Sequence, residues 1–190
     1  ADREFGMETQ CLHSGPVPVT TTGARAAPIY QTTSYVFDDS DHAASLFNLQ
    51  TFGNVYSRMT NPTNAMVEER LATLEGGRAG VVVGSGMAAQ MTALLTLLEA
   101  GDELVSSSTL YGGTYSQFDY GFRRFGIATH FVDPEDPQNF ARAITPKTKA
   151  LYAETIGNPL NNVLDISDRK SVVEGKRVDL GGRRIMKKKK

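Results

Sequence analysis

Gly84-Ser85-Gly86 is the stretch of this sequence whose residues are best suited to chemistry. Val81, Val82 and Val83 run into it. Behind it Met87, Met91, Leu94, Leu95 and Leu98 recur at spacings of three and four, the pattern of one buried helix face. A strand that feeds a helix through small residues presents unbonded backbone N–H groups and the positive end of the helix dipole. That arrangement takes an anion, most often a phosphate. A tight strand-to-helix turn explains the same glycines and is compatible with the anion site.

Which phosphate is held depends on what else the sequence offers. Gly84-x-Gly86-x-x-Ala89 satisfies the fingerprint of an NAD(P)-binding Rossmann domain. That site also needs an acid at the end of the next strand to hold the ribose. Asp102 and Glu103 instead precede that strand, and its end offers Ser106-Ser107-Ser108. A nucleophile elbow needs glycine two residues before the serine, and Val83 stands there. The P-loop pattern is absent. His13, His42 and His130 are scattered without metal-ligand spacing, so no metal site is expected.

The elements that must position this loop follow from the punctuation of the chain. Residues 1–60 are rich in Thr, Pro, Gly and Tyr without a sustained period and read as an extended N-terminal arm with short helical pieces. A long irregular segment of this kind is functional or lies on a partner. Asn61-Pro62-Thr63 supplies a cap and a first-turn proline, Val67, Leu71 and Leu74 an apolar stripe, and Gly76-Gly77 a stop. Strand 80–84, helix 86–100, strand 103–107, helix 113–125, strand 127–132, a helix near 137–144 and strand 148–154 complete the reading. Such alternation implies an α/β fold with a mostly parallel sheet and helices on both faces. The loops at 84–86, 108–111 and 154–158 are then expected at one rim, the carboxyl ends of the strands. The expected organisation is an arm over 1–60, a partial α/β domain over 61–167 and a basic tail over 168–190.

The net charge of −1 averages two unlike parts. Residues 168–190 carry ten Lys/Arg against three Asp/Glu, whereas 1–167 carry ten against eighteen. The acidic body has no general attraction for nucleic acid or an anionic membrane. The tail has no helical or strand period and ends in four lysines. It reads as the translation of adapter read-through followed by a poly-A stretch, outside the fold. No apolar run is long enough to span a membrane, no signal peptide opens the chain, and the lone Cys11 cannot form an internal disulfide. A cytoplasmic location is the expectation.

Tyr56-x-Arg58-x-x-Asn61-Pro62-Thr63, Gly84-Ser85-Gly86-Met87-Ala88-Ala89, Leu110-Tyr111-Gly112-Gly113-Thr114 and Glu154-Thr155-Ile156-Gly157-Asn158-Pro159 follow one another in this order. Together they resemble the cystathionine/methionine-metabolism family of pyridoxal-phosphate enzymes, of fold type I, from about Glu8 to Ile166. Within that family the sequence is most similar to the sulfhydrylases that act on O-acetylhomoserine. The pointers are the segment Gly23 to Phe37, the insertion from Leu46 to Gly53, and Ile156-Gly157, where related lyases and synthases usually carry Pro-Ser or Pro-Thr.

The resemblance implies a large domain of the PLP-transferase type with pyridoxal 5′-phosphate as cofactor. Ser85, Gly86 and Met87 would bind its phosphate, joined by Tyr56 and Arg58 reaching from a neighbouring subunit of a homodimer or homotetramer. Tyr111 would stack on the pyridine ring and act in catalysis, and Asn158 would bond the phenolic oxygen. On composition alone Tyr111 reads as structural, Asn158-Pro159 as a turn, and Met66, Met87 and Met91 as core packing. The implied reaction is γ-replacement on a small amino-acid substrate: acetate leaves O-acetylhomoserine, and sulfide or methanethiol adds to give homocysteine or methionine. Cystathionine γ-synthase, methionine γ-lyase and cystathionine lyase are the alternatives within the family. The family's Schiff-base lysine and its pyridine-binding acid belong to motifs not found here, in chains about twice this length. The sequence therefore reads as an N-terminal fragment, inactive alone or even an inert truncated product. If the tail is outside the fold, deleting residues 168–190 will leave solubility and the limited-proteolysis pattern unchanged apart from the lost charge. Loss of a cooperative melt on deletion would make the tail structural.

Overall fold

A computed structural model describes residues 5–15, 22–24 and 26–165; the tail at 168–190 lies outside the described residues. The chain divides into two compact units, Ala1–Val82 and Val83–Lys190.

The first unit is held by hydrogen bonds more than by a core. It contains α1 (Met7–His13), α2 (Ser40–Phe47) and α3 (Pro62–Leu74). Asp39 caps α2 by accepting the His42 N–H at 2.7 Å. Asn61 does more for α3. Its Oδ1 accepts the Thr63 N–H at 2.9 Å, while its Nδ2 donates to the Tyr30 carbonyl and the Ser57 hydroxyl at 3.0 and 2.9 Å. One buried amide thus starts the helix and fastens the arm to it. Pro62 occupies the first turn, where a missing N–H costs nothing, and Gly76 follows the helix at φ +63°. The apolar stripe expected on α3 is there but uncovered, with Val67 and Leu71 both about half exposed.

The second unit has a true core. It runs α4 (Gly86–Leu97), β1 (Glu103–Ser107), α5 (Gly112–Ser116), a π turn (Gln117–Gly121), α6 (Phe122–Arg124), β2 (Ala128–Val132), α7 (Pro137–Ala143) and β3 (Thr148–Tyr152). The three strands are parallel in the order β2-β1-β3, with Val105 opposite His130 on one side and Leu151 on the other. The chain steps from β1 to one neighbour, then back across β1 to the other. Right-handed crossovers in opposite directions put their helices on opposite faces. Leu104 accordingly joins Leu94, Leu98, Phe118, Phe122, Ile127 and Tyr152 in one cluster, while the alternate residue Val105 is buried outside it and α7 packs on β1 and β2. The doubly covered parallel sheet expected from the alternation is present.

Two expected elements differ. Residues 80–84 form no strand. A strand exists by pairing, and residues 80–84 pair with no strand among the described residues. The Val82 N–H that would seek a neighbour donates to Glu68 Oε1 at 2.8 Å instead, and Val81 stays 80% exposed. Helix 113–125 is interrupted. The Phe122 N–H reaches back five residues to the Gln117 carbonyl, and the Phe118 carbonyl accepts the Thr129 hydroxyl at 3.2 Å. That bond comes from β2 and leaves no mark on the helical period.

Tyr152 carries a pH-dependent part of this core. It is 6% exposed, edge-on to Phe118 at 4.8 Å between centroids. Burial, and then the nearby Glu154 charge, push its phenol from 10 up to about 12. A raised folded-state value favours the neutral phenol, so its contribution is full below pH 10 and lost as pH rises towards 12. Urea denaturation at graded pH is expected to show Tyr152→Phe losing less stability than the wild type across that window, by on the order of 2 kcal/mol at most. Parallel pH profiles for the two proteins would contradict this.

Candidate active site

Ser85 starts α4. In extended conformation, it accepts the Ala88 N–H on Oγ at 3.1 Å and the Ala89 N–H on its carbonyl at 2.9 Å. The N–H groups of Gly86 and Met87 precede the first intrahelical bond and face outward from the helix end. A Cβ built on Gly84 or Gly86 meets nothing within 4 Å. Neither glycine is demanded by crowding within the protein, so the turn alone does not account for them.

Tyr111 lies four residues beyond β1 and caps α5. Its ring is 56% exposed and sits over Gly113, where a Cβ would come within 2.5 Å of the ring edge. Glycine at 113 therefore lets the ring lie against the helix start. The Tyr111 N–H donates to Glu154 Oε1 at 2.9 Å, from the loop after β3. Asn158 lies further along that loop, exposed, in a cis peptide with Pro159. On the other side, the Gln117 Nε2 donates to the Met87 carbonyl at 3.2 Å and the Thr114 hydroxyl to Gln90 Oε1 at 3.2 Å. These bonds link the start of α4, the Tyr111 turn and the Asn158 loop. Of the expected residues, Ser85, Gly86, Met87, Tyr111 and Asn158 lie on the segments that these bonds tie together, although the first three follow no formed strand.

Tyr56 and Arg58 belong to the first unit. Ser34 and Tyr56 form an antiparallel bridge, and the Tyr56 carbonyl accepts the Met59 and Thr60 N–H groups at 2.8 and 3.0 Å. The Arg58 guanidinium carbon lies 4.9 Å from the centre of the Tyr56 ring, a cation–π pair, and both side chains are exposed. An arginine with its planar fork turned to solvent is suited to phosphate.

Of the tethers, Gln117 and Gln90 were not singled out by the sequence, and Glu154 and Thr114 stood only as members of motifs without a role of their own. The available signal was polar: glutamines inside an apolar helical pattern and an acid directly behind an apolar strand. The acids considered for a dinucleotide site serve elsewhere. Asp102 accepts the Glu99 N–H at 2.9 Å. Glu103 opens β1 at the opposite rim from Tyr111, its carboxyl held below the usual range chiefly by the Thr145 hydroxyl. Among the described residues no group of His, Cys, Asp or Glu could hold a metal ion, and no helix is long and apolar enough to cross a membrane.

The model of the Cys/Met metabolism PLP-dependent enzyme family matches residues 8–179. The chain belongs to this family. It is 56% identical over 165 residues to an O-acetyl-L-homoserine sulfhydrylase of Leptospira meyeri, covering 87% of this chain and 37% of that protein. A homocysteine synthase of Schizosaccharomyces pombe is 52% identical over 159 residues, covering 84% and 37%. A crystal structure of a Campylobacter jejuni protein described as an O-acetylhomoserine (thiol)-lyase, carrying N′-pyridoxyl-lysine-5′-monophosphate, superposes with a TM-score of 0.82. It is 38% identical, with 89% of this chain and 41% of that one covered. The fold is that of the family's PLP-binding domain, incomplete here: the chain spans little more than a third of the length of the curated relatives it matches.

The open surroundings of Gly86 allow a ligand-binding role to be told from a structural one. Gly86→Ala is expected to leave thermal stability unchanged or raise it by up to about 1 kcal/mol, because alanine suits a helix and meets no neighbour. Binding of inorganic phosphate or pyridoxal phosphate, followed by equilibrium dialysis, is expected to weaken. Destabilisation with binding intact would make the glycine purely structural.

Proposed function

We propose that this chain supplies part of the cofactor site of a PLP-dependent γ-replacement enzyme of the O-acetylhomoserine sulfhydrylase type. The observation that carries the reading is the start of α4, with outward N–H groups at Gly86 and Met87 beside open space at Gly84 and Gly86, in a chain 56% identical to such an enzyme. These groups fit a phosphate, and the exposed Tyr111 ring fits a flat aromatic group attached to it. Pyridoxal phosphate, when bound, supplies the electron sink for negative charge developing on the substrate.

The residues of this chain have distinct tasks in that reading. The Gly86 and Met87 N–H groups and the Ser85 cap hold the phosphate at the positive end of α4. Arg58, with Tyr56 beside it, adds a forked donor to the same phosphate from a second copy of the chain. That assignment accounts for an arm whose apolar side chains are largely uncovered, and it makes the enzyme a homo-oligomer, a dimer or a tetramer. Tyr111 would stack on the pyridine ring, and its hydroxyl would assist proton movement or the leaving group. Asn158 would donate to the phenolic oxygen of the cofactor. The organisation we assign is an arm over 1–60 and a cofactor-binding portion over 61–167; the basic stretch over 168–190 lies outside the described residues. A cytoplasmic location goes with the single cysteine.

The natural protein carrying this sequence is expected to form homocysteine from O-acetyl-L-homoserine and sulfide. Tyr111→Phe is expected to lower kcat about a hundredfold while the cofactor stays bound. Arg58→Ala is expected to weaken cofactor affinity with kcat at saturation nearly kept. Release of a keto acid and ammonia in place of homocysteine would contradict the replacement reading and favour a lyase.

A further inference from the structure

The loop that carries Asn158 is closed on itself and fitted around one glycine. Ile156 and Val163 form an antiparallel bridge, the Gly157 N–H donates to the Asn162 carbonyl at 2.9 Å, and the Leu164 N–H to the Thr155 carbonyl at 2.9 Å. Asn161 makes the turn at φ +55°. Gly157 is buried inside this loop. A Cβ there would lie 2.7 Å from Thr109 Oγ1 and press still closer on Asn162 Oδ1. The φ of Gly157 is not in the left-handed region, so space alone calls for glycine.

The Asn162 side chain fills that space at a cost. Its Nδ2 donates weakly to Thr109 Oγ1 at 3.4 Å, and its Oδ1 is buried without a hydrogen-bond partner. A buried amide oxygen left unpaired is unfavourable, so its placement calls for a reason beyond hydrogen bonding. Thr109 is in turn fixed by Ser107, whose Oγ shares a hydrogen bond with Thr109 Oγ1 at 3.0 Å and accepts the Thr109 N–H at 3.1 Å. Thr109 stands two residues before Tyr111, and Asn162 four after Asn158. This contact is therefore a second tie between the two loops, beside the bond from the Tyr111 N–H to Glu154.

We propose that Gly157 and Asn162 are a size-matched pair that locks the Asn158 loop onto the Tyr111 loop, which makes both of them positioning residues for the cofactor site. The proposal rests on the reading that Tyr111 and Asn158 hold the cofactor. It implies that position 157 can accept a side chain only when position 162 gives one up.

The test is a double-mutant cycle in the full chain with Gly157→Ala, Asn162→Ala and the double variant, read by amide hydrogen exchange without cofactor and by pyridoxal-phosphate affinity. Gly157→Ala is expected to speed exchange at the Gly157 and Leu164 amides about tenfold and to weaken affinity about tenfold, with Asn162→Ala restoring most of both. Removing the Asn162 amide frees the space and lets Thr109 rotate away. Should Gly157→Ala fail to fold, recovery of folded protein in the double variant supports the pair. Unchanged exchange in Gly157→Ala, or a double variant no better than Gly157→Ala, overturns it. Exchange that follows the cycle while affinity moves in no variant leaves the lock standing and removes the cofactor reading instead.

Discussion

Parallel pairing forces the chain to cross over between strands, and the second unit depends on that constraint. With β1 between β2 and β3, each strand ends on the same rim, and the residues after it must turn there before the next helix can begin. Tyr111 and Asn158 lie in such turns. Burial of Leu104, Val105, Ser106 and Ser107 on both faces of β1 makes this rim rigid. Ser107, the last residue of the strand, already reaches into the site by holding Thr109. Core and candidate site are thus one piece of structure.

The first unit follows other physics. Few of its side chains are buried, and Asn61 does work that a core would do elsewhere, capping α3 while gripping Tyr30 and Ser57. A buried amide with its hydrogen bonds satisfied specifies one geometry, whereas apolar contacts tolerate several. The Tyr56 turn directly precedes this cap, so Arg58 is presented from a fixed base. The uncovered stripe on α3 leaves this part of the chain with apolar surface still to be buried.

What the sequence made legible was what local chemistry decides. Asn61 caps its helix as its type predicts, Pro62 stands in a first turn, and the α/β alternation became a parallel sheet. Illegible features were those that depend on a distant partner. Three valines read as a strand, yet pairing decides strands and Glu68 took the Val82 N–H. At the π turn a β2 threonine donates to the Phe118 carbonyl. Tyr111 sits far from Glu154 in sequence, and Thr109 far from Asn162, and only the fold shows that each pair touches. The residue types of the candidate site could therefore be read from the sequence, but its supporting bonds could not.

The central claim is that a cofactor phosphate sits at the start of α4. Backbone amide NMR of the chain during titration with pyridoxal phosphate tests it most directly. Saturable shifts are expected, largest at the Gly86 and Met87 amides and smaller at Tyr111 and Asn158. Saturable binding that leaves the Gly86 and Met87 amides unmoved would contradict it.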